Sequence, residues 1–189
     1  MIRTMPLMIA TAFALPTFCG CAFMQRTFPG LTMSDSNLIS VVDSLGENEI
    51  DAAFLAREKA SAPEVQAFAG RVLNEHRQLA EASAHLAKQR SLQPDPPALS
   101  AELKQAHEQA MQQLRARSGA AFDRAYVKYE IEQHVLAFQF MEAAAESEAE
   151  PALKQALVRT GPELLSHISA ARALERHLGI DAPVTIVSP

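Results

Sequence analysis

Between residues 122 and 145 the chain places Val127, Ile131, His134, Phe138, Met141 and Ala145 at alternating steps of four and three. That spacing is the stripe of a helix buried along one side. A histidine stands in the middle of it. Similar stripes predict three further long helices, and each has one polar residue at a comparable place. The first, from residues 34–36 to about Ala60, runs through Leu38, Val42, Leu45, Glu49, Ala52 and Ala56. The second follows Val65, Phe68, Val72, His76, Leu79, Ser83 and Leu86, and must end before Gln93-Pro94-Asp95-Pro96-Pro97. The last follows Leu153, Leu157, Thr160, Leu164, His167, Ala171, Leu174 and Leu178.

Local signals place the ends. Ser34, Asp35 or Ser36 can cap the first helix. Ser61-Ala62-Pro63-Glu64 reads as a capping box, with Ser61 accepting from the third helical amide and Glu64 reaching back. Pro63 and Pro151 suit first-turn positions, where no amide donor is needed. Ser100 opens a shorter helix with a narrower stripe of Leu103, Met111 and Leu114, stopped at Ser118-Gly119. It is expected as a crossover packed outside the main bundle. The central helix then runs from about Ala120 to Ser147. Pro162 predicts a kink near Val158, because it removes a donor and crowds the carbonyl four residues back.

Composition fits this reading. Of 189 residues, 48% are hydrophobic, 21% charged and 6% aromatic, with no Trp and seven Gly, which favours one all-α domain with almost no strand. The formal charge of −5 argues against a nucleic-acid partner, whose phosphates it would repel. No Ser/His/Asp ordering, phosphate-cradling Gly loop or Cys-x-x-Cys pair is present, so nucleophilic and nucleotide chemistry lack support.

The N-terminus reads as an address. Arg3 precedes the uncharged residues 7–18, and residues 1–20 have the form of an export signal. Phe18-Cys19-Gly20-Cys21 resembles the lipobox of bacterial lipoproteins, which implies cleavage before Cys21 and lipidation of that residue. An ordinary secretory signal cut near Ala22 is the alternative. The protein is therefore expected to be exported, either periplasmic or anchored in the outer membrane, with the membrane as a partner through lipid. Residues 21–35 form a flexible tether, 36–179 the helical domain and 180–189 an irregular tail.

His76, His134 and His167 on three long helices, with Glu49 on the fourth, form a candidate metal site inside the bundle. Imidazole and carboxylate suit Fe, Mn or Zn, and the absence of core thiols disfavours Cu(I). Glu130 and Glu163 each lie one turn before a histidine and are accessory candidates. The usual bundle di-iron site takes Glu-x-x-His, whereas this chain has Glu-x-x-x-His at 130/134 and 163/167. Glu75 adjoins His76 and points about 100° away around the helix. The competing reading is a hydrogen-bonded core network of His, Glu and the nearby Tyr126 and Tyr129. His85, His107 and His177 read as solvated.

Several segments together carry a family resemblance: Glu49-Ile50; Val65-x-x-Phe68-Ala69 leading to Glu75-His76; Phe122-Asp123-Arg124-Ala125-Tyr126 leading to His134; and Pro162-x-Leu164-x-x-His167. Over roughly residues 36–178 the chain resembles the exported bacterial family known as domain of unknown function 4142. The resemblance implies a ferritin-like four-helix bundle and, by analogy with such bundles, a metal or redox role. It transfers no activity. The leading expectation is a non-enzymatic cell-envelope lipoprotein whose bundle is a binding or stress-related structural module. The alternative is a metal-binding or metal-dependent redox protein using Glu49, His76, His134 and His167. A third reading is a subunit of a larger helical assembly, a homo-oligomer among the options, marked by an exposed apolar stripe on the 100–117 helix and a defined oligomer in solution.

Overall fold

The computed structural model describes residues 28–179, so the export signal, Cys21 and the 180–189 tail lie outside the described residues. Five helices follow in order: α1 (Asp35–Lys59), α2 (Pro63–Gln89), α3 (Ala98–Arg115), α4 (Gly119–Glu146) and α5 (Pro151–His177). No strand occurs among the described residues. The all-α class, the four long helices and the shorter third one agree with the pattern of apolar positions.

Some helix ends follow local chemistry. Ser34 Oγ accepts from the Asn37 amide at 3.1 Å, and Arg57 and Lys59 occupy the last turn of α1, where the helix dipole favours cations. Glu150 caps α5 by accepting from the Ala152 and Leu153 amides. The expected capping box of α2 does not form. Its N-cap is Ala62, without a side-chain cap of its own. Asp123 of α4 instead accepts from the Ser61 amide at 2.9 Å, the Ser61 hydroxyl at 2.5 Å and the Ala62 amide at 2.9 Å. An ionised carboxylate makes stronger bonds to such donors than a neutral hydroxyl does, so the distant residue displaces the adjacent one.

Pro162 lies inside α5, which stays one helix across it. The carbonyl it deprives of a donor belongs to Val158, a residue on the solvent side at 62% exposure.

The long helices form two hairpins, α1 with α2 and α4 with α5. Contacts of α1 with α4 and of α2 with α5 close the square. The crossover α3 packs over the seam between α1 and α4. Its Leu103, Met111 and Leu114 are buried there, so the expected exposed stripe on this helix is absent. The central helix α4 buries residues around nearly its whole circumference, including Phe122, Tyr126, Ile131, Leu136 and Phe140.

The core has two apolar parts. One gathers Ala52, Val65, Phe68, Val72, Leu73, Met111, Val127 and Ala171; the other gathers Leu38, Val41, Leu45, Leu103, Leu136, Phe140, Leu157 and Leu164. Each large side chain fully buried there contributes roughly 1.5–3 kcal/mol. Along α1, Glu49 falls between Leu45 of the second part and Ala52 of the first. His167 on α5 falls likewise between Leu164 and Ala171, and His107 on α3 between Leu103 and Met111. A polar layer thus crosses the bundle between two apolar blocks.

Candidate metal centre

Each long helix supplies this layer from an otherwise apolar line. Glu49, His76, His134 and His167 are all buried, His134 and His167 to 1% and 0% exposure. The structure brings the three histidines together. His134 Nε2 lies 2.9 Å from His167 Nδ1 and 3.3 Å from His76 Nε2, and the three donor atoms all fall within 4.8 Å of one another. Phe68 stands edge-on to the His167 ring and closes that side.

Outer partners fix the rings. His134 Nδ1 donates to the Glu130 carbonyl oxygen at 2.9 Å, one turn back on the same helix. His167 Nε2 meets the Glu75 carboxylate in a close contact. These acceptors each require an N–H, so a ring that carries one proton presents a lone pair on its inward nitrogen, His134 Nε2 or His167 Nδ1. Burial, and then the neighbouring imidazoles, hold His134 well below the usual imidazole range; burial, and then His167, push His76 down to about 4. Two facing lone pairs 2.9 Å apart repel unless a positive centre lies between them. Backbone or carboxylate anchoring of the remote ring nitrogen is the usual support of a metal-ligating histidine. Nitrogens around a tetrahedral zinc ion, bonded at 2.0–2.1 Å, lie about 3.3 Å apart, close to the spacings found here.

On the other side of His134 lie two carboxyl groups. Its Nδ1 is 3.4 Å from Glu130 Oε2 and 3.7 Å from Glu49 Oε2. Burial, reinforced by the nearby Glu130, raises the Glu49 pKa well above the usual carboxylate range. Burial also raises Glu130, to about 7, while the Tyr126 hydroxyl and the Glu49 carboxyl hold it back. These groups lie close enough to influence one another, but Glu49 Oε2, both Glu130 oxygens and the Tyr126 hydroxyl do not reach full hydrogen-bond geometry with any partner.

Glu49, His76, His134, His167 and Glu130 therefore meet in one layer. Glu163 does not join its interior; it groups with Glu75 on the outer nitrogen of His167, in a half-buried cluster. The offset of about 100° from His76 around α2 predicts that Glu75 leaves the site. The offset instead directs it to α5, while His76 faces α4.

His107 also departs from expectation. It is buried, with Nδ1 2.8 Å from the Tyr129 hydroxyl and Nε2 3.0 Å from Asp51 Oδ2. Its place in the Leu103–Met111 stripe was the available signal. His85 and His177 are exposed as expected.

A family model described as a domain of unknown function (DUF4142) matches residues 23–174. No curated protein and no solved structure matches the chain.

Proposed function

The chain belongs to the domain of unknown function (DUF4142) family, and from that premise we propose that it is a metal-binding helical bundle holding one divalent Fe, Mn or Zn ion between His76, His134 and His167. The observation that carries this reading is the pair of inward imidazole nitrogens, His134 Nε2 and His167 Nδ1, set 2.9 Å apart with both outer nitrogens anchored. A hydrogen-bonded core network would place a proton between those nitrogens. Here the Glu130 carbonyl and the Glu75 carboxylate take the outer protons, so a proton between the inner nitrogens would need a ring that carries two.

His76 completes a three-nitrogen set, which leaves a bound ion an open coordination position, as in sites that bind an exogenous ligand. The ion would supply Lewis acidity or redox capacity there. The chain's own contribution is to keep His76 and His134 from protonating by burial, orient His134 and His167 through the Glu130 carbonyl and Glu75, and exclude bulk water with Phe68. The export signal and lipidated Cys21 expected from the sequence would tether this bundle in the cell envelope.

Elemental analysis of the protein purified without an affinity tag tests the reading, beside a His76→Ala/His167→Ala variant. One equivalent of metal in the histidine centre, lost in the variant, is expected. Chelation should lower the melting temperature of the wild-type by about 5–10 °C and leave the variant unmoved. No metal after reconstitution with Fe, Mn and Zn would make the layer a hydrogen-bonded core instead.

A further inference from the structure

Glu49 and Glu130 belong to different helices and turn their carboxyl groups into one fully enclosed place, at 3% and 0% exposure. Both lie within 4 Å of His134 Nδ1, on a ring that burial keeps from protonating and that therefore offsets neither charge. Glu49 Oε2, Glu130 Oε1 and Oε2 and the Tyr126 hydroxyl, which is itself buried against Glu130, crowd one another without any of them reaching full hydrogen-bond geometry. Native interiors seldom leave several oxygen atoms unsatisfied together, because each costs on the order of 1–3 kcal/mol. All four carry lone pairs, and the donors among them are limited to the Tyr126 hydroxyl and any proton the two carboxyl groups hold. A small cation would satisfy the set together.

We propose that Glu49 and Glu130, with the Tyr126 hydroxyl beside them, bind a second divalent cation next to the histidine centre, so that the layer holds two metal ions with His134 as their common wall. The inference extends the reading of the histidine centre but stands on separate atoms. The oxygen set selects a harder ion than the three imidazoles do, so Mn2+ or Fe2+ belongs with the carboxylates and Zn2+ with the nitrogens. His134 turns Nε2 to the histidine centre, while its Nδ1 stays on the Glu130 carbonyl and is not a ligand of the second ion. When the second ion enters, any proton held by the two carboxyl groups leaves to solvent.

Loading metal-free protein with Zn2+ and Mn2+ together, followed by elemental analysis, tests this. The wild-type should retain one Zn and one Mn per chain. Glu49→Gln/Glu130→Gln should lose Mn and keep Zn, and His76→Ala/His167→Ala should do the reverse. The single Glu49→Gln variant, checked for helix content by circular dichroism, should bind Mn at least tenfold more weakly and serves if the double variant does not fold. Undiminished Mn in the folded carboxamide variants overturns the proposal. So does a wild-type that binds one ion, lost only in the histidine variant; the histidine centre then stands alone. One ion lost only in the carboxamide variants upholds the second site and overturns the first. No retained ion overturns both.

Discussion

His134 shows how much depends on where a ring's protons go. Its Nδ1 proton is fixed on the Glu130 carbonyl, and that single hydrogen bond turns Nε2 into an acceptor facing two other histidines. Four members of the layer were legible in the sequence because each interrupts an apolar stripe: Glu49, His76, His134 and His167. Glu75 and His107 were not, since what a flanking residue meets is decided by the helix packed against it. The buried acids also make a pH prediction. Below the ordinary value of 4.5 both folded and unfolded chains keep Glu130 protonated; between 4.5 and about 7 only the unfolded chain ionises. The unfolded state then binds fewer protons, so this group's contribution to stability declines as pH rises through that window. Glu49 acts in the same direction. In chelator, Glu49→Gln/Glu130→Gln should gain stability relative to wild-type as pH rises from 4.5 to 7, measured by urea unfolding at each pH. A constant difference would contradict the raised pKa values.

At the scale of elements, helix existence and order were readable from the stripes, whereas some ends were not. Ser61 and Glu64 have the letters of a capping box, yet Asp123 takes the Ser61 and Ala62 amides. A local signal of about 1 kcal/mol is overridden by a charge-assisted bond that forms only in the folded chain. Asp123→Ala should therefore destabilise the protein by about 2–3 kcal/mol, more than a single cap, because two amides and a hydroxyl lose one acceptor together. Urea unfolding measures this, and a cost under about 0.5 kcal/mol would return the cap to Ser61. α3 follows similar logic. Its His107 bridges Tyr129 on α4 and Asp51 on α1, so the crossover is pinned at the seam by directional bonds as well as by Leu103 and Met111. The sequence placed α3 outside the bundle correctly, but a narrow stripe cannot reveal which seam it covers.

Across the whole molecule, the polar layer divides the core into two apolar blocks. Without a cation, that layer is a cost within the bundle. His76→Leu/His134→Leu/His167→Leu should unite the blocks and, compared with wild-type in chelator, melt at an equal or higher temperature, since well-packed apolar replacements of buried polar groups are often neutral or stabilising. The same variant should lose the metal. A strongly lowered melting temperature would assign the histidines a structural role that needs no ion. The sequence conveyed the architecture and the existence of this layer, but the rotation of each helix about its axis, which decides who meets whom, came from packing. The bond from α4 to the start of α2 also bears on synthesis. A nascent chain emerges N-terminus first, and Asp123 follows Ser61 by 62 residues. At 5–20 residues per second the ribosome takes roughly 3–12 s to cover that distance. During that interval the second helix, Pro63–Gln89, is made while its start still lacks the Asp123 acceptor, and a chaperone or protease that reaches the emerging hairpin meets it in that state.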